Sequence, residues 1–200
     1  MRYLLVIVSL SVVLFTSCSK EEKKSPEPEA VQKSTFEVLR DQVKANPNDA
    51  EAWYHLAELY DRAEAYQEEV DALKHVIAIN PSMGYAYFRL GSTYNRIERY
   101  QDAVTNFLKA IQYEPKQPMM YNNLAVSYGK LGKNEEEIAM LKKALAIRPS
   151  YAIAHFNLGM AYLKKGDHNA AMKQYQALVS IDEGLASSLK KEIDTKKKPS

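Results

Sequence analysis

The residues that could do chemistry in this chain are few and poorly spaced for it. Four histidines stand at His55, His75, His155 and His168. No two lie four apart, so no helix face pairs imidazoles as a zinc site does, and no His-Glu-x-x-His run exists. No metal and no cofactor are expected. Neighbouring carboxylates occur at Glu68-Glu69 and Glu135-Glu136-Glu137, a pattern that general acid–base chemistry can use. Both runs fall at the start of predicted helices, where the free N–H groups favour anions without any catalytic purpose. Gly129-Lys130-Leu131-Gly132-Lys133 has the composition of a phosphate-binding loop but neither its spacing nor a preceding strand, and it reads as a turn between helices. There is no Gly-x-Ser-x-Gly elbow. These residues predict a protein that is not an enzyme.

Charge narrows the partner class. The 200 residues carry a net charge of +2, and no basic cluster is interleaved with aromatics, so nucleic acid is not an expected partner. Lys196-Lys197-Lys198 is the clear positive run. Cys18 is the sole cysteine, which excludes a disulfide within the chain.

The elements that carry these residues recur every 34 positions. Prolines fall at Pro47, Pro81, Pro115 and Pro149. Between them a first-helix pattern reads Trp53, Leu56, Ala57, Tyr60, then Tyr87, Leu90, Gly91, Tyr94. It returns as Tyr121, Leu124, Ala125, Tyr128 and as His155, Leu158, Gly159, Tyr162. Second-helix apolar positions follow in each copy, as in Ala103, Phe107 and Ala110. Side chains three and four apart share a helix face, so each unit is two amphipathic helices, A then B. The small residue at Ala57, Gly91, Ala125 or Gly159 lets helix B approach helix A. Each proline halts helix B, and Pro118 fits the first turn of a helix A.

Four in-phase copies over roughly Ala50 to Leu185 resemble the tetratricopeptide repeat (TPR). The resemblance implies an all-α, right-handed superhelical solenoid of helical hairpins with capping helices. Repeats are expected at about 50–83, 84–117, 118–151 and 152–185 within a domain spanning 36–194. A half-repeat over 36–47 caps one end, and a helix over 185–193, with Leu185, Leu189 and Ile193 on one face, caps the other. Helix ends are expected at 50–63, 66–79, 84–97, 100–113, 118–131, 134–147, 152–165 and 168–181. Two departures from the family pattern are Glu69 and Glu137, which stand where alanine is usual in helix B. Their place in the first turn accounts for them through the helix dipole, and Asn134 with Glu137 has capping-box spacing.

Residues 1–18 read as a targeting segment, with Arg2 before an apolar run from Tyr3 to Phe15 that is too short to span a bilayer comfortably. Small residues before Cys18 resemble the bacterial lipobox, although Phe15 replaces the usual leucine. That resemblance implies lipidation at Cys18 and a membrane-anchored lipoprotein of the bacterial cell envelope, with Ser19 favouring the outer over the inner membrane. The alternative is an ordinary signal-peptide cysteine removed on cleavage. Residues 19–35, charged and proline-containing, are expected to form a disordered tether.

In TPR proteins the A helices line a concave groove. Carried over by repeat position, the groove is implied to present Tyr54, Tyr85, Phe88, Asn122, Val126, Phe156 and Met160 to a protein or peptide partner, alongside Glu58, Asp61, Met119 and Ile153. The carboxylate-gripping clamp of some members is not reproduced, since Tyr54 and Glu58 stand where lysine and asparagine would be. Phe156, Met160 and Leu163 could instead seat the C-terminal helix. The function implied is an envelope scaffold; the alternative is a holdase or an accessory subunit of an envelope enzyme or secretion system.

Overall fold

A computed structural model describes residues 28–197, and among these it contains ten helices and no strand. Cys18, the apolar run before it and the first part of the expected tether lie outside the described residues. The helices are α1 (Pro28–Ala45), α2 (Ala50–Arg62), α3 (Tyr66–Ile79), α4 (Gly84–Arg96), α5 (Tyr100–Tyr113), α6 (Pro118–Lys130), α7 (Asn134–Ile147), α8 (Ala152–Lys165), α9 (His168–Val179) and α10 (Glu183–Lys197). The eight repeat helices end within two residues of expectation. The two flanking helices do not. Helix α1 begins at Pro28, inside the stretch expected to be a tether, because proline is well suited to a first helical turn and Glu29 to Ser34 contains no helix breaker. Helix α10 begins at Glu183 because Asp182 caps it, its carboxylate accepting from the Leu185 N–H at 2.9 Å.

Each helix packs on the next in sequence, so α2, α4, α6 and α8 are the A helices and α3, α5, α7 and α9 their B partners. Leucine at the same place in every A helix (Leu56, Leu90, Leu124 and Leu158) is buried, and so is Leu73, Phe107 or Leu141 from the facing B helix. Gly91 sits where a Cβ would meet the Phe107 ring at 2.9 Å, which explains its size. Gly159 departs from this rule. Its neighbour is Leu189 of α10, 2.5 Å from where a Cβ would stand, so this glycine admits the C-terminal helix rather than its own helix B.

The turns repeat as faithfully as the core. The A-to-B turn holds Glu64, Glu98, Gly132 and Gly166 at φ of 56°, 60°, 74° and 83°, all at one repeat position. The next residue's N–H returns to the carbonyl of the signature tyrosine in each copy: Ala65 to Tyr60, Arg99 to Tyr94, Lys133 to Tyr128 and Asp167 to Tyr162, at 2.8–2.9 Å. This six-to-one bond with a left-handed residue is the Schellman termination of a helix. At the B-to-A turn, the fourth residue of helix A reaches back six positions to a proline carbonyl in three of the four copies. Trp53 Nε1 donates to Pro47 O, Tyr121 Oη to Pro115 O, and His155 Nε2 lies 2.8 Å from Pro149 O. His155 thus does the work of an aromatic donor. Tyr87, in the second copy, stacks on Tyr113.

Candidate functional site

The A helices stand side by side and are stitched by polar side chains, differently at each seam. Between α2 and α4 the seam is ionic. Arg89 lies 3.4 Å from Glu58, from Asp61 and from Glu69, with its guanidinium 5.5 Å from the Tyr54 ring centre. Arg96 pairs with Asp61 and donates to Tyr66 Oη at 2.9 Å. Between α4 and α6 the seam is neutral, with Ser127 Oγ donating to Asn95 Oδ1 at 2.9 Å. Between α6 and α8, Asn157 Nδ2 donates to Asn122 Oδ1 at 2.9 Å and Lys164 Nζ to Gly129 O at 3.0 Å.

The two carboxylates that replace alanine face these seams. Glu69 is buried at 2 % exposure, and burial pushes its carboxyl above the ordinary glutamate range, against the opposing pull of the Thr93 hydroxyl and Arg89. Its Oε2 has no hydrogen-bond partner. Burial likewise raises Glu137, with Lys164 opposing, its Nζ 3.9 Å from Glu137 Oε2. Helix dipoles alone therefore do not account for Glu69 and Glu137; cations from the next A helix meet both. The capping box does not form either. Asn134 is already the first residue of α7, its Oδ1 is buried without a partner, and Glu137 turns its carboxylate against Gly129. A Cβ on Gly129 would lie 2.6 Å from that carboxylate, so the glycine in α6 makes room for the glutamate in α7.

The groove residues read from the sequence divide into four groups. Tyr85 and Val126 are exposed, at 40 % and 37 %, and so are their groove neighbours Met119 and Ile153, at 39 % and 50 %. Tyr54 and Phe88 are half-buried against the first core cluster, and Phe88 also borders a cavity of about 180 Å³ with Asp61, Glu69, Arg89 and Arg96. Asn122 is buried and spent on Asn157, so it is not open to a partner. Phe156 and Met160 pack with Leu163 against Leu189 and Ile193, which places α10 over the groove positions of the fourth repeat. The apolar fourth-repeat floor thus seats the C-terminal helix, and truncating Phe88 or Phe156 costs stability as well as any partner contact. Repeat position places Arg96 and Lys164 on the groove face, but Arg89 and the pairing of these cations with carboxylates of the preceding repeat were missed. The available signal was the glutamate in an alanine position, which requires a cation one repeat further on.

Eight repeat helices in register, with matching A-to-B turns and equivalent core positions, define a solenoid of helical hairpins. The chain belongs to the tetratricopeptide repeat family. TPR-repeat models match residues 91–132 and 128–166, and tetratricopeptide-repeat models match 37–84 and 152–184. No curated protein matches the chain. Among solved structures, MamA superposes with a TM-score of 0.74 at 23% identity, over 80% of this chain and 93% of MamA. MamA from Desulfovibrio magneticus RS-1 gives 0.73 at 20% identity, over 78% and 88%. YrrB, described as a TPR protein with an unusual peptide-binding site, gives 0.71 at 18% identity, over 82% and 85%.

Proposed function

We propose that this chain is a scaffold that holds a protein or peptide partner on its A-helix face, anchored to the bacterial cell envelope by lipid on Cys18, at the outer membrane in preference to the inner. The observation that carries the partner reading is a row of exposed apolar side chains, Tyr85, Met119 and Ile153, at the same position of three successive A helices, with Val126 beside them. Large apolar groups left in water at matched positions form the kind of surface a partner covers. YrrB, similar in fold, is described as having a peptide-binding site, which supports the same reading. The anchor reading rests on the sequence around the lone Cys18.

Affinity capture from detergent-solubilised envelope tests both parts. The double variant Tyr85→Ala with Met119→Ala should melt like the parent, since both residues are exposed, yet lose the captured partner. Equal capture by parent and variant refutes the groove. Cys18→Ala should leave the lipid-modified fraction, and wild-type protein without lipid on Cys18 refutes the anchor. Broad capture of unfolded chains in place of a defined partner would make the protein a holdase.

A further inference from the structure

We infer that the C-terminal half of this groove is a receptor for an acidic stretch of peptide, seated between α6, α7 and α8. The inference rests on the partner-groove reading and names the chemistry of what the groove takes. A cavity of about 440 Å³ opens there. Val126, Met160 and Ala161 form its apolar side, and Lys130, Lys164 and Lys196 bring three ammonium groups against one carboxylate, that of Glu137.

The cations are not equally committed. Lys164 is held by Gly129 O and Glu137. Lys165, its neighbour, is taken by Glu135 at 2.6 Å. Lys130 is exposed and has no polar partner among the described residues, and Lys196 reaches the cavity from the end of α10. The C-terminal helix therefore completes the site as well as capping the stack. Glu137, the one counter-charge, is set back in the wall by Gly129, and burial favours its neutral form. At the opposite end of the groove Arg89 and Arg96 are already paired with Glu58, Asp61 and Glu69, so neither is open to an incoming carboxylate. The charge pattern therefore favours the lysine end for an acidic segment. An apolar residue beside its carboxylates rests on Val126 and Met160.

Fluorescence anisotropy with two labelled probes tests this on the folded protein: a short peptide of alternating leucine and aspartate, and the same peptide with lysine for aspartate. The aspartate peptide should bind at least about tenfold tighter, and the preference should collapse as salt rises from about 0.05 M to about 0.5 M. Lys130→Glu with Lys196→Glu, both on exposed side chains, should weaken the aspartate peptide about tenfold or more with melting unchanged. Equal binding of the two peptides, preference for the lysine peptide, absence of binding, or indifference to the charge reversal each overturns the inference. If the charge reversal does nothing while Tyr85→Ala with Met119→Ala abolishes binding of both peptides, the groove stands and its acidic preference falls.

Discussion

Removing the Arg89 guanidinium strands a buried carboxylate, and the size of the loss follows from what surrounds it. In Arg89→Met the hydrocarbon stem is retained while Glu69, at 2 % exposure, is left with only the Thr93 hydroxyl. Breaking a buried pair in this way costs about 3–5 kcal/mol. Two features reduce the loss here. Glu58 and Asp61 are each about one-third exposed and return to water. Glu69 can also take up a proton, which at about pH 7 limits its penalty to about 3.7 kcal/mol, at about 1.4 kcal/mol for each unit above an ordinary glutamate value of about 4.3. The expected loss is therefore about 2–4 kcal/mol, or about 5–15 °C in melting temperature followed by circular dichroism. Glu69→Ala installs the residue that stands at this position as Ala103 and Ala171, so the double variant Glu69→Ala with Arg89→Met should regain most of the loss. The pH dependence has a definite sign. The folded Glu69 pKa lies above the unfolded one, so its penalty is absent below the unfolded value and grows as pH rises through the folded value. The Arg89→Met deficit should thus shrink between about pH 7 and about pH 4.5. A variant that melts with the parent, or whose deficit is equal at both pH values, refutes the assignment of Arg89 as the counter-charge of Glu69.

Three other substitutions separate the roles of the core, the turns and the C-terminal cap. Gly91→Ala places a methyl 2.9 Å from the Phe107 ring and should destabilise by about 1–3 kcal/mol in chemical denaturation. Glu98→Gly relieves a side chain at φ 60° and should stabilise by up to about 1 kcal/mol, whereas Gly132→Ala, at φ 74°, should destabilise by a similar amount. Leu189→Ala removes a fully buried side chain from α10 and should cost about 2–5 kcal/mol; an unchanged melt would show that α10 is not part of the folded unit.

The fold was readable because its signals are periodic. Leucine at Leu56, Leu90, Leu124 and Leu158 with a small residue beside it states a helix-on-helix contact four times over. The turns at Glu64 and Glu98 were less legible than those at Gly132 and Gly166, since a left-handed residue is announced by glycine and hidden by glutamate. The groove was only partly readable. Repeat position places Asn122 on the A-helix face, but its burial depends on Asn157, one repeat away, and no local pattern reports that bond. Phe156 and Met160 are likewise groove residues by position, and only the path of α10 decides what covers them. The seam cations follow the same logic: Glu69 and Arg89 are twenty residues apart, and neither residue alone says that they meet.

The seams have a consequence for how the chain tolerates rearrangement. The first three repeats share their buried leucine and facing B-helix positions, whereas the A-to-A seams differ from one to the next. Excision of 84–117 would bring Asn123 to the place of Arg89 and Lys130 to the place of Arg96. Glu58, Asp61 and Glu69 would then share one lysine, and the shortened solenoid would close on a buried carboxylate with no guanidinium to meet it. At the α2–α4 seam repeat order therefore matters electrostatically, because Glu69 meets a guanidinium only when the repeat carrying Arg89 follows it.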